Sequence, residues 1–180
     1  MIHIKAYELI PHKEGGNRYH VRCQEQSICP VCSSSVLKVI GSRTRKVVNS
    51  CGESIVVVIR RLRCSSCRRI HHELPDIIVP YKRYSSESIE AILDGSEATV
   101  SCEESTIYRI GKWFGDLSGY LAGCLGAIAA RWGPNTITVP LSAMKRIKVY
   151  VGEEARWLAR TVRTVVNTNL WVHTRSAFLS

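Results

Sequence analysis

The chain has 180 residues, 45% of them hydrophobic, which is enough for one large domain or two small ones and excludes a disordered tail. Its net charge of +10 and pI near 9.4 direct it toward polyanions: nucleic acid, an anionic membrane or an acidic partner. The opening MIHIKAYELIPHKEGG lacks an apolar signal core, and the longest uncharged apolar run, Leu117–Ala130, has 14 residues where about 20 span a bilayer, so a cytoplasmic protein without membrane attachment is expected.

The charge is uneven. Residues 1–84 carry 15 Lys and Arg against 6 Asp and Glu, residues 85–133 carry 3 against 7, and residues 134–180 carry 7 against 2. A basic front, an acidic middle and a basic end predict at least two functional units.

Taken in chain order, residues 1–28 alternate weakly and predict short strands around Gly15-Gly16-Asn17. Cys29 to His72 reads as β: Val36–Ile40, Arg43–Val48 and Ile55–Arg63 are β-prone, and Asn49-Ser50-Cys51-Gly52 is a turn signal for a hairpin. Pro75 and Pro80 disfavour helix before them and make residues 72–84 an extended connector.

From Ser85 the period becomes helical. Ser85 or Ser86 caps a helix bearing Ile89, Ile92 and Leu93 that stops near Gly95. A second helix opens at Ser101–Ser105 with an acidic first turn and the stripe Ile107, Ile110, Trp113, Phe114. A third places Leu117, Leu121, Leu125, Ile128 and Trp132 on one face and small residues, Gly119 and Gly123 among them, largely elsewhere, before Gly133-Pro134-Asn135 ends it. Thr136–Tyr150 reads as strand or loop. A last helix, about 152–171, sets Arg156, Arg160 and Arg163 at i, i+4 and i+7, opposite Leu158, Val162, Val165 and Val166, with Glu153 and Glu154 favouring its N-terminus. The fold expected is α+β: a β-rich zinc ribbon with its connector over residues 1–84, then a helical region over 85–180 with a candidate helix-turn-helix at about 86–114.

Two C-x-x-C pairs carry the clearest chemistry. Cys29-Pro-Val-Cys32 and Cys64-Ser-Ser-Cys67 are separated by 31 residues, and the hairpin between them supplies the return path that brings four thiolates to one Zn2+. A thioredoxin-like redox pair would need a βαβ context that this segment lacks. Glycine often follows the second cysteine of such a knuckle, where the backbone is left-handed; here Ser33 and Arg68 stand there. Cys23, Cys51, Cys102 and Cys124 have no paired spacing and are expected as buried small residues, and His71 and His72 as bystanders to the metal.

Arg60, Arg61, Arg63, Arg68 and Arg69 flank the second knuckle, Lys82 and Arg83 follow between Tyr81 and Tyr84, and Arg43, Arg45 and Lys46 lie on the earlier strand. Guanidinium forks suit phosphates, and phosphate contacts dominate nucleic-acid affinity. In the helix-turn-helix reading, Ser105, Thr106, Tyr108, Arg109 and Lys112 are the candidate base readers. The net negative charge of residues 85–133 argues instead for a packing unit or dimer surface.

The run R-R-L-R-C-x-x-C-R-R-I-H-H-E-L-P-D-x-I-V-P-Y-K-R-Y resembles the zinc-ribbon front of a bacterial family of unknown function, number 6431 among such domains. The end R-T-V-V-N-T-N-L-W-V-H-T-R-S-A-F-L-S resembles it as well. The ribbon, the Pro-Tyr segment and the helical pair are also similar to the front of some insertion-element transposases. That resemblance implies DNA binding, with Cys29, Cys32, Cys64 and Cys67 as metal ligands.

A transposase core needs three carboxylates around two metal ions. The three aspartates, Asp76, Asp94 and Asp116, offer no such set, so no catalysis is expected. The sequence therefore points to a zinc-dependent DNA-binding protein, a regulator or mobile-element accessory factor whose partner is duplex DNA. The rivals are an RNA-binding protein and an adaptor whose 117–130 helix pairs with another copy or a partner protein.

Overall fold

The computed structural model describes residues 1–13, 15–131 and 142–172. Its strands are β1 (Ile2–Ile4), β2 (Tyr7–Pro11), β3 (Arg18–Cys23), β4 (Leu37–Val48), β5 (Ser54–Cys64) and β6 (Ile70–Pro75), and its helices are α1 (Ser86–Leu93), α2 (Glu104–Ala129), α3 (Ala143–Val151) and α4 (Trp157–Asn167). The class is α+β, as expected. Trp132, Gly133-Pro134-Asn135, the first residues of Thr136–Tyr150 and the end of the chain from His173 lie outside the described residues.

The sheet is built around β5, whose run of β-branched residues suits a strand paired on both edges. Antiparallel β4 pairs with it from Val48↔Ser54 to Leu37↔Cys64. The other edge is shared: β3 runs parallel to its start (Arg18↔Val56) and β6 antiparallel to its end (Arg61↔His72). β2 extends the sheet beyond β3, and β1 lies parallel to β6. The predicted hairpin turn is present: Gly52 has φ 80° and its N–H donates to Asn49 C=O at 3.1 Å.

Two buried clusters result. Ile2, Ile4, Val21, Val57, Ile59, Leu62 and Leu74 form the sheet core. Ile89, Ile110, Phe114, Leu121, Ile147, Trp157, Val162 and Val165 join the four helices. α1 follows its sequence signals: Ser85 Oγ accepts from Ser88 N–H at 3.1 Å, and Gly95 beyond it has φ 78°. No described helix is long and apolar enough to cross a membrane.

The helical half corrects three expectations. The second and third helices are one, α2, of 26 residues. Each interior glycine costs about 1 kcal/mol relative to alanine, but Ile110, Phe114, Leu117, Leu121 and Leu125 continue as one buried stripe opposite those glycines, and that packing holds the helix continuous. Ala143–Val151, read as strand or loop, is helix α3. Its valines and isoleucine mimic a strand, but Ser142 caps it, accepting from Lys145 N–H at 3.4 Å, and Ile147 is buried among the other helices. α4 begins at Trp157, not 152. The carboxylate at its N-terminus is Glu90 of α1, not Glu153 or Glu154: it accepts from the N–H groups of Arg156 at 2.6 Å and Leu158 at 2.8 Å.

Candidate metal centre and basic surface

Cys29 and Cys32 lie in the loop before β4, Cys64 ends β5, and Cys67 lies in the turn into β6. Because Leu37 pairs with Cys64, the hairpin delivers the first pair to the second. The four Sγ atoms lie within 4.8 Å of one another, and Cys29–Cys67 and Cys32–Cys64 are each 3.6 Å apart. A tetrahedron with 2.3 Å metal–sulfur arms has edges of about 3.8 Å, so the cage fits one metal ion.

The two knuckles share one hydrogen-bond pattern. Cys29 C=O accepts from Ser33 N–H and Cys29 N–H donates to Ser34 C=O, both at 2.9 Å. Cys64 C=O accepts from Arg68 N–H at 3.1 Å and Cys64 N–H donates to Arg69 C=O at 2.9 Å. Ser33 and Arg68 have φ of 58° and 63°, the left-handed backbone that the motif requires although neither is glycine. Ser66 Oγ donates to Ser34 Oγ at 3.0 Å and joins the knuckles directly.

Four thiolates repel one another without a cation, and their protonation is split accordingly. Backbone N–H groups, first that of Cys67, then that of Ser66, hold the Cys64 thiol down at about 6. At Cys32 the Ser34 N–H acts in the same direction, yet burial and the three neighbouring sulfurs push it up to about 12. A divalent cation removes this conflict by favouring the thiolate at all four positions.

His71 is not a bystander. It is buried, and its Nε2 lies 3.3 Å from Cys29 Sγ. Burial first, then the charges of the chain's amino terminus, Arg69 and His72, lower its pKa to about 4, so the ring is neutral and can give one N–H to the sulfur. His72 points the other way, as strand alternation requires. That alternation was the signal that one of two adjacent histidines faces the cysteines. Of the remaining cysteines, Cys124 is buried as expected, Cys23 and Cys102 are half-buried, and Cys51 is exposed in the hairpin turn.

The arginines divide by sheet face. Arg60 lies on the face that receives Glu73, a fully buried carboxylate, which accepts from its Nε and one terminal nitrogen, both at 2.7 Å. Arg60 is thereby held as a structural partner of Glu73. Arg61 and Arg63 alternate with it on the opposite face. Register places Lys38 beside Arg63, and His72 beside Arg61. A bulge between Val39 and Gly41 shifts the alternation of β4, so that Lys38 shares this face with Arg43 and Arg45. Arg68 lies next to Arg63 and Lys38 at the knuckle, and Arg69 is exposed nearby. None of Arg43, Arg61, Arg63, Arg68 and Arg69 forms an ion pair with a described residue. Lys38 and the sidedness of the row were not legible without the bulge.

The other candidates are placed differently. Arg83 is exposed, while Lys82 reaches back over the Trp113 ring, its Nζ 3.9 Å from the centroid. Arg156 precedes α4 in left-handed backbone, so it breaks the predicted helical row, and its guanidinium donates to the buried Asp76 at 2.6 Å. Arg160 gives four hydrogen bonds to the carbonyls of Val151, Gly152, Glu154 and Ala155. Arg163 pairs with Glu25 at 3.0 Å. On α2, Ser105, Arg109 and Lys112 are exposed but locally engaged: Arg109 folds back on Ser105, and Lys112 lies 3.6 Å from Asp116. Tyr108 is 72% exposed, and Thr106 is half-buried. Residues 94–103 separate α1 from α2 and include a 3₁₀ turn, Glu97–Thr99. That connection exceeds the three or four residues of a helix-turn-helix.

Fold and site together define an α+β protein with a four-cysteine candidate metal centre on a hairpin whose other face is basic. The family model described as Domain of unknown function (DUF6431) matches residues 29–110, from the first metal-centre cysteine to the first turns of α2, and so supports the family resemblance over that span. The C-terminal stretch that also resembles the family lies outside the match. No curated protein and no solved structure matches the chain.

Proposed function

We propose that this chain is a zinc-ribbon DNA-binding protein that grips the phosphate backbone of duplex DNA, a regulator or mobile-element accessory factor without catalysis of its own. The observation that carries this is the row Lys38, Arg63, Arg61, Arg43 and Arg45 on one sheet face, without an ion pair to any carboxylate among the described residues and continuous with Arg68 at the metal knuckle. Zinc suits four thiolates in a tetrahedral cage. With the metal bound, the backbone of β4 and β5 is fixed, and the arginines meet phosphates without first being ordered. The α1–α2 pair joins as a packing unit, with the exposed Tyr108 on its outer face.

Metal analysis of the purified protein and duplex binding titrated against salt test it together. Affinity should fall with salt at a slope of about −0.9 per phosphate neutralised. Absence of binding to both duplex DNA and structured RNA at low salt would overturn it, and preference for the RNA would move the protein to the RNA-binding class. The adaptor reading draws on one feature: a side chain at Gly111, Gly115, Gly119 or Gly123 would meet no described atom within 4 Å, so that face of α2 is open. Binding that ignores salt but tracks α2 substitutions would favour it.

A further inference from the structure

Beside the basic row lies a cleft of about 670 Å³ between β4, β6 and the Pro80 turn, within the roughly 300–1,000 Å³ range of ligand sites. Arg43, Arg45, Lys46, Lys82 and Arg83 line it together with His72, and no carboxylate of the described residues does. The cations crowd one another: burial, then Arg43, lowers the pKa of Arg45, and burial followed by Arg45, Arg43 and Arg61 lowers that of His72. Such a set is complete only with an anion.

The aromatic residue at the rim is unusual in its backbone. Val79-Pro80-Tyr81-Lys82 is a turn closed by Lys82 N–H to Val79 C=O at 3.0 Å, and Tyr81 has φ 66° at the position that ordinarily takes glycine or asparagine. A bulky side chain there is strained, and burial does not offset the strain, because Tyr81 is 51% exposed. The turn is also anchored from both sides. Lys82 packs on Trp113, and residues 83–85 pair with the end of β4 through Val48 N–H to Arg83 C=O and Ser85 N–H to Val48 C=O, both at 2.8 Å. Strain maintained by its surroundings at a cleft points to use of the strained residue.

We infer that this cleft holds an unpaired nucleotide of a DNA strand, its phosphate on Arg43, Arg45 and Arg83 and its base stacked on Tyr81. The inference rests on the DNA-binding reading and adds to it the substrate class, a duplex with a single-stranded end or extruded base. Stacking on tyrosine needs only the π face of a base, so the site tolerates any sequence.

The test uses the zinc-loaded full chain, a blunt duplex, and the same duplex with a short overhang carrying 2-aminopurine. The overhang should bind about tenfold tighter, with a change in 2-aminopurine fluorescence on binding. Tyr81→Phe should keep both effects. Tyr81→Gly, which relieves the backbone strain, should lose both and keep blunt-duplex affinity. Equal affinity for blunt and overhanging DNA with unchanged fluorescence overturns the cleft assignment and leaves duplex binding standing. Failure of both DNAs to bind overturns both readings, and binding of the overhang alone keeps the cleft and removes the duplex reading. Should Tyr81→Gly fail to fold, Tyr81→Asn, which removes the ring and tolerates the left-handed backbone, replaces it, and loss of the fluorescence change with blunt-duplex affinity kept is again the supporting result.

Discussion

Asn167 binds His3 as a neighbouring strand would. Its Oδ1 accepts from His3 N–H at 2.8 Å, and its Nδ2 donates to His3 C=O at 2.9 Å. β6 satisfies the other edge of β1, so the last residue of α4 closes the edge that would otherwise be open. The same pair ties the helical half to the sheet. Asn167→Ala should lower stability by about 1–3 kcal/mol, two hydrogen bonds at their usual net value, read as a lower urea midpoint with an unchanged m-value. Asn167→Asp keeps the acceptor but sets a carboxylate oxygen against His3 C=O, so it should cost at least as much as Asn167→Ala.

The buried ring of His3 sets an acid limit. Its Nε2 lies 3.0 Å from Ile78 C=O, and its Nδ1 has no partner among the described residues. Burial first, opposed by the Ile78 carbonyl, lowers its pKa from 6.5 to about 4. As pH falls below 6.5, the unfolded chain takes up the proton before the folded one does. Stability is therefore full above pH 6.5 and lost as pH falls toward 4, by up to about 3 kcal/mol from this residue. His3→Gln should flatten that part of the pH–stability curve. An unchanged slope would show that His3 titrates normally in the fold.

Arg60 and Arg63, three residues apart, should behave oppositely. Arg60→Ala leaves the buried Glu73 carboxylate without its cation and should cost about 2–3 kcal/mol, somewhat below the loss at a fully buried pair, because the Arg60 side chain is 38% exposed. Arg63→Ala should change stability by less than about 0.5 kcal/mol and weaken DNA binding with a shallower salt slope. Thermal melts and binding titrations of the two variants check both halves.

One metal ion per chain is expected, and none in the Cys64→Ser, Cys67→Ser double variant. In small zinc domains the apparent metal-binding energy, about 10–16 kcal/mol, is folding energy, so the double variant should lose the β circular-dichroism signal of residues 1–84. Retention of metal and of native signal would place the site elsewhere.

His71 should act on a bound metal through Cys29, whose Sγ lies 3.3 Å from its Nε2. His71→Phe removes the N–H donor from the sulfur and should lower metal affinity about 10–100-fold, measured by competition with a chromophoric chelator, while His72→Phe should leave it unchanged.

The four-cysteine cluster was legible because C-x-x-C spacing is local: two residues between thiols fix their mutual reach, and a β-rich segment of 31 residues can return the chain. The hairpin, the Ser85 cap and the buried face of the first helix were legible for the same reason, each set by neighbours within a few residues. What the sequence concealed depends on contacts across long separations. Arg60, Arg61 and Arg63 look alike in the chain; only the position of Glu73 and the bulge at Ile40 separate a structural arginine from a surface row. The row Arg156, Arg160, Arg163 looked like one helical stripe until Glu90 and Asp76, distant in sequence, set where α4 begins. Composition and spacing determine that this protein is basic and holds four cysteines in metal-ligand order. Which of its charges face solvent, and which are spent within the fold, was decided by tertiary packing, because a buried carboxylate selects its cation by position in space and not by position in the chain.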